Sequence, residues 1–322
     1  MRLLACLLCS ALLACGPLDV NDPEGLEQCA GCVSDGFDDP AGSGHVFFVE
    51  DYLPTPDQEL TWALDIDEDG HPDQALNHLS EQYQLLGYNF TEFVRSGSML
   101  GVLELAGVEA PYTGDDDAVT AKIYQTVDAD HDLSNNTCEG EGCAQFTPNP
   151  DFMLNGQTLF RFGPAPIVDH HLRIGVNQTQ ALPIDIGEDI ILPFLKVRME
   201  IRIPDTLDAI PAGVMCGAMP AVALDEIPLC EIASGAMINE DACIDESSLA
   251  FMVARLGAQP DIDLDGDGLE TYEVDFSGSV LRCHDADGTV IEGATCLSDP
   301  RIADGFSICA SFRGIPGELI LR

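Results

Sequence analysis

Along residues 195–203, apolar Leu195, Val197, Met199, Ile201 and Ile203 alternate with Lys196, Arg198, Glu200 and Arg202. Successive side chains of a strand point to opposite faces, so a period of two predicts a strand with one buried and one wet face. The same rule recurs at 119–124, 172–176, 272–277 and 306–312, carried by Val119, Leu172, Tyr272 and Phe306 and the alternate residues after each. Half-solvated alternation belongs to antiparallel sheets, because parallel strands are covered on both faces. The chain therefore reads as mainly β, an antiparallel, jelly-roll-like β-sandwich with a few short helices.

One helix is predicted over 72–86, where Leu76, Leu79, Tyr83 and Leu86 recur at helical spacing between Pro72 and Gly87. The uncharged run 210–224 contains Pro211, Gly213, Gly217 and Pro220, too short and too broken to span a bilayer. It reads as a buried loop or short helix. No period of 20–50 residues repeats, which argues against a solenoid or propeller.

The N-terminus changes the picture from fold to compartment. Arg2 precedes an apolar run that ends in Leu12-Leu13-Ala14-Cys15-Gly16. The run has the length of a signal-peptide core. Its end resembles the bacterial lipobox, in which the signal is cut before a cysteine that becomes acylated. That resemblance makes 1–14 a lipoprotein signal peptide and Cys15 the lipidated residue. Residues 15–44, with Pro17, Pro23 and Pro40 and many acids, read as a flexible acidic tether reaching roughly 30 Å. Residues 45–322 then form a single β-rich domain.

With Cys6 and Cys9 lost with the signal and Cys15 acylated, ten of the 13 cysteines remain, the even number a disulfide framework requires. Sequence proximity pairs Cys29 with Cys32, Cys138 with Cys143 and Cys283 with Cys296. Cys216, Cys230, Cys243 and Cys309 are left to share two bonds. The Cys29–Cys32 spacing also fits a redox CxxC, but its Gly/Pro/Asp-rich surroundings lack the strand and helix such a site needs.

Acidity decides which partners are excluded. The chain carries 56 Asp and Glu against 13 Lys and Arg, a net charge of −43, so nucleic acid is repelled from almost any face. Within that acidity two clusters have the order of a hard-cation loop. Asp65, Asp67, Asp69 and Asp73 stand at loop positions 1, 3, 5 and 9, with Gly70 at position 6 and His71 offering its carbonyl at position 7. The second cluster has two registers: Asp261 first with Gly266 at position 6, or Asp263, Asp265 and Asp267 at 1, 3 and 5 with Gly268, Leu269 at position 7 and Glu270 close by. The latter is preferred because it brings in Glu270. Both loops resemble those of EF-hands and thrombospondin type 3 repeats and imply Ca2+ as cofactor, although Leu76 and Val274 stand where an EF-hand has its bidentate Glu. Leu60, Trp62, Leu64 and Ile66 alternate like a strand before the first loop, so strand, loop and helix are expected there.

Asp128-Ala129-Asp130-His131-Asp132 lacks the glycine, and 285–289 is short enough to be a hairpin turn. Adjacent His170 and His171 would point to opposite faces of a strand and not to one metal. HExxH, GxSxG, GxxxxGK[ST] and a strand-linked GxGxxG are all absent. Taken together, the lipobox, the acidic cysteine-rich body and the DxDxDG loops resemble uncharacterised lipoproteins of Gram-negative bacteria. The resemblance implies a lipid-anchored protein of the outer membrane or cell surface, or of the periplasmic face. The residues support a calcium-stabilised binding or structural module for a glycan or envelope protein more than an enzyme. The alternative is a secreted polysaccharide hydrolase using a carboxylate pair.

Overall fold

The computed structural model describes residues 44–53, 59–60, 62–66, 68, 71–73, 75–77, 100–108, 115–128, 146–154, 156–158, 160–175, 182–185, 191–225, 253, 256–264, 275–277, 280–284, 289–292, 304–317 and 319–320. In chain order the strands are β1 (His45–Leu53), β2 (Leu100–Ala106), β3 (Asp116–Asp128), β4 (Phe146–Pro148), β5 (Met153–Leu154), β6 (Gln157–Thr158), β7 (Phe160–Val168) and β8 (His171–Ile174). They continue with β9 (Leu182–Asp185), β10 (Ile191–Arg202), β11 (Ile210–Pro220), β12 (Asp275–Ser277), β13 (Val280–His284), β14 (Val290–Glu292) and β15 (Gly305–Pro316). A short helix, α1 (Ala221–Asp225), follows β11. Residues 75–77, inside the predicted helix 72–86, are helical; the rest of that prediction lies outside the described residues.

The main sheet is not half of a sandwich. Its strands pair in the order β11-β15-β1-β2-β3-β7-β8-β10, and β10 pairs again with β11, closing an eight-stranded antiparallel barrel. β9 and β4 attach to the outside of this ring through β10 and β3. β12–β14 form a separate three-stranded sheet. The expectation of a sandwich failed because alternation reports that one face is buried and not what it is buried against. Two stacked sheets and one sheet closed on itself need the same pattern.

Cross-strand register identifies the inner face. Met199 pairs with Ile174 and Met215, Ile201 with Leu172 and Gly213, and Gly213 with Phe312, which places these side chains together inside the ring. Phe47, Leu103, Leu105, Phe306 and Ile308 join them in one buried core. Glycine makes that filling fit: a Cβ on Gly213 would lie 2.3 Å from the Phe312 ring, and one on Gly217 2.9 Å from Phe194. This also corrects the run 210–224, most of which is strand β11. Its outer residues Val214, Cys216 and Ala218 are buried too, so no polar residue marks a wet face.

The outer wall carries two covered patches. On β2–β3, Glu104 and Lys122 are opposite one another and Tyr124 lies two residues on. All three are fully buried; the Tyr124 hydroxyl donates to Glu104 Oε2 at 2.6 Å and Lys122 Nζ approaches Oε1 at 3.4 Å. Phe48 stacks on Phe146 of β4 at 4.5 Å beside them. The second patch, on β10, β11 and β15, holds the acid loops.

Candidate functional site

Val214, Cys216 and Ala218 of β11 face Ser311, Cys309 and Ser307 of β15, and Cys216 and Cys309 form a disulfide. Apolar residues flanking both acid clusters cover this stretch of wall. Leu60, Ala63, Leu64 and Ile66 from the first and Ile262 from the second are buried against it, with half-buried Trp62 and Leu264 alongside. Two clusters far apart in sequence are thereby planted on one satellite core. The residues that anchor them, Ile66, Ile262 and Leu264, are those interleaved between the acids.

Locally the first loop differs from expectation. Trp62–Leu64 is a 3₁₀ turn and not a strand, because these side chains grip the outside of a finished barrel and have no ladder to join. The loop ends are pinned to each other: the Asp73 amide donates to the Leu64 carbonyl at 2.7 Å, and the Ile66 amide donates to Asp73 Oδ2 at 2.5 Å. Asp73 is buried, His71 is exposed, and Asp65 is half-buried, with its Oδ1 buried and without a hydrogen-bond partner among the described residues. Glu68, at φ 70°, leaves the loop to meet Arg198 Nη2 at 3.3 Å. Asp67 and Asp69 lie outside the described residues, as do Asp265, Asp267, Leu269, Glu270 and the lipidation candidate Cys15.

Asp261, the first residue of the other register, is hydrogen-bonded at both carboxylate oxygens. Its Oδ1 accepts from the Ser307 amide at 2.7 Å, and its Oδ2 accepts from the Ser307 hydroxyl at 2.5 Å and the Ala75 amide at 2.9 Å. It ties the chain after the first acid loop to β15 and to the start of the second cluster. In the register that begins at Asp263, the first residue's carbonyl accepts from Lys196 Nζ. Asn77 locks the same seam, its amide group donating to and accepting from the Cys309 backbone at 2.7 Å each way.

Burial pushes the Asp261 carboxyl above its ordinary value of 3.8, against the lowering pull of the Ser307 hydroxyl and the main-chain donors. The folded state then holds this proton more tightly than the unfolded chain. Its contribution to stability is greatest below about pH 3.8 and declines as pH rises through the folded pKa. Ser307→Ala removes a donor to the ionised form, so its destabilisation relative to wild type should grow across that window. Urea midpoints of both proteins from pH 3.5 to 6.5, a range set about the ordinary Asp value, check this; a difference independent of pH contradicts it.

The basic alternation of Lys196, Arg198 and Arg202 predicts an acidic neighbouring strand, with Glu273 and Asp275 as candidates; among the described residues, Arg198 and Arg202 meet acids that belong to no neighbouring strand. Arg198 is buried, lies 4.2 Å above the Trp62 ring and meets Glu68; Arg202 meets Glu59 at 2.7 Å. Their partners come from the segment laid over the strand, so the expected wet face is covered. Glu273 lies outside the described residues, and Asp275 belongs to the separate sheet. Glu200, fully buried on the same face, accepts at Oε1 from Arg173 Nε at 2.8 Å and His171 Nδ1 at 3.1 Å, and at Oε2 from the Trp62 amide at 3.0 Å. Periodicity could not find this cluster, since only the pairing of β8 with β10 brings Arg173 opposite Glu200.

Contrary to expectation, the two histidines are not neighbours on one strand. Asp169 and His170 form a two-residue hairpin turn with φ of 50° and 65°, and His171 is the first residue of β8. Of the other acid runs, Asp128 ends β3 and 129–132 lie outside the described residues. The strands flanking 285–289 pair antiparallel, His284 opposite Val290, as a hairpin requires. Cys216–Cys309 lies within the group of four expected to share two bonds. The proposed Cys29–Cys32, Cys138–Cys143 and Cys283–Cys296 pairs involve residues outside the described set. No protein family, no curated protein and no solved structure matches this chain.

Proposed function

We propose that the chain is an exported, lipid-anchored and calcium-stabilised binding or structural module of the cell envelope. The observation that carries the calcium reading is Asp65, whose Oδ1 is buried and has no donor among the described residues, at the first position of a loop closed by Asp73. A buried carboxylate oxygen left without a hydrogen bond is costly unless a cation meets it. The donor set is all oxygen, as calcium prefers: Asp65, Asp67, Asp69, Asp73 and the His71 carbonyl in one loop, and Asp263, Asp265, Asp267, the Leu269 carbonyl and Glu270 in the other. Bound calcium supplies positive charge to two acid clusters rooted on the same patch of a chain of charge −43. Export is supported by the disulfide and by the lipobox-like sequence ending at Cys15.

Loops lacking the bidentate glutamate belong in the range of roughly 10⁻⁴–10⁻³ M typical of extracellular modules. At free calcium ten times the dissociation constant, each site adds about 1.4 kcal/mol. Two sites raise the melting temperature by about 6–11 °C at the usual 2–4 °C per kcal/mol of a large domain. Melts in about 5 mM calcium and in chelator, repeated with Asp67→Ala and Asp265→Ala, check this; identical wild-type melts contradict it. The anchor is tested separately: Cys15→Ser is expected to move the protein from the membrane to the soluble fraction, and unchanged membrane association contradicts it.

A further inference from the structure

The wall beside the acid loops carries a small, pre-positioned cationic site that neither export nor calcium explains. Arg173 and His171 sit two residues apart on the outer face of β8, and both donate to the same oxygen of buried Glu200. Glu200 has its other oxygen occupied by the Trp62 amide, so its position is fixed from within the wall. Arg173 uses only Nε in this contact and is half exposed, at 51%. Among the described residues nothing bonds its Nη1 and Nη2 edge, which is the fork that meets a planar carboxylate through two hydrogen bonds. His171 is partly exposed; with Nδ1–H directed at Glu200, Nε2 points away from that contact and in the neutral tautomer is a hydrogen-bond acceptor. One rigid carboxylate thus orients two donors and one acceptor side by side.

We propose that Arg173 and His171 bind a hydroxyl-bearing carboxylate, an acidic sugar residue of the uronate type. The carboxylate meets the Arg173 fork, and a neighbouring hydroxyl of the same ring donates to His171 Nε2. Charge selects the same ligand. Glu59 and Asp205, 69% and 88% exposed, stand at Arg202 and His170 nearby, and a phosphate dianion meets their repulsion with twice the charge of a carboxylate. A plain carboxylate leaves the His171 acceptor unused, whereas a neutral sugar leaves the Arg173 fork empty. The site supplies a ligand class to the binding-module reading but does not depend on calcium.

The test is titration of the isotope-labelled, soluble Cys15→Ser chain with sodium glucuronate at constant ionic strength, followed by NMR at the Arg173 Nε–H and the β8 amides. It is run in calcium and again in chelator, so that failure of the calcium reading leaves this result legible. Saturable shifts in the millimolar range are expected. Acetate, which has no donor beside its carboxylate, should bind about fivefold more weakly, the effect of one lost hydrogen bond, and methyl glucoside should not bind. Arg173→Gln should abolish binding, and Arg173→Lys, which keeps the charge without the fork, should weaken it. His171→Phe should bring glucuronate down to the affinity of acetate. Equal affinity for acetate and glucuronate, equal shifts with methyl glucoside, or unchanged affinity in Arg173→Gln overturns the proposal.

Discussion

Glu200→Ala is expected to lower the unfolding free energy by about 2–4 kcal/mol, the cost of emptying a fully buried position and leaving its donors without an acceptor, while the half-exposed Arg173 charge turns to water. Glu200 is fully buried and answers three donors from two segments: Arg173 and His171 on β8, and the Trp62 amide of the stretch laid over β10. Its loss frees the root of the first acid loop as well as the β8–β10 face. At roughly 2–4 °C per kcal/mol the melting temperature should fall by about 4–16 °C. Glu200→Gln, which keeps an acceptor for the Trp62 amide, should fall by less. Chemical denaturation of the three proteins in one buffer measures the order, and a Glu200→Ala midpoint equal to wild type contradicts it.

The second large effect is expected at the disulfide. Cys216 and Cys309 are 93 residues apart in sequence and directly opposite each other across β11 and β15. Closing a loop of that length removes about 4–5 kcal/mol of unfolded-state entropy in the chain-entropy account, and native disulfides of exported domains contribute about 2–5 kcal/mol on removal. The pair also ties β15 to β11, the strand whose second edge closes the barrel against β10. It lies beneath the satellite core on which both acid loops rest, where Asn77 holds the Cys309 backbone. Cys216→Ala with Cys309→Ala should therefore reduce stability by about 2–5 kcal/mol and weaken any calcium-dependent rise in melting temperature with it. Denaturation midpoints of the double variant, taken with and without calcium, measure both; an unchanged midpoint contradicts the structural role.

The strands were legible because each carries its own period. The alternation at 195–203, 119–124 and 306–312 marks residues that lie in β10, β3 and β15. Closure was not legible, since β10 meeting β11 is a long-range fact that no local pattern encodes. β11 itself was hidden because both its faces are buried: Met215 and Met219 point inward while Val214, Cys216 and Ala218 are roofed by Leu60–Ile66 neighbours. Loss of polar alternation then looks like a broken apolar run. The same roofing explains why Arg198, read as solvent-facing, is buried under Trp62.

The acid loops were legible as composition and spacing, but their placement was not. Nothing in the order of residues says that Asp261 reaches Ala75 and Ser307, or that Leu264 and Ile66 share a core. Asp261 fits the first position of a cation loop by spacing, and only the fold shows that both its oxygens also accept from the protein's own donors. Glu200 is the converse, one more polar residue in a strand period until β8 supplies Arg173 and His171.

The central claim, that the two acid loops hold calcium, is tested most directly by equilibrium dialysis of the chelator-treated, soluble Cys15→Ser chain against calcium. Two ions per chain are expected, with dissociation constants of roughly 10⁻⁴–10⁻³ M. Asp65→Asn should remove one ion and Asp265→Asn the other, while Asp261→Asn, which alters a residue engaged with Ser307 and Ala75, should leave the count at two. No saturable binding, or binding that survives Asp65→Asn together with Asp265→Asn, would contradict the claim.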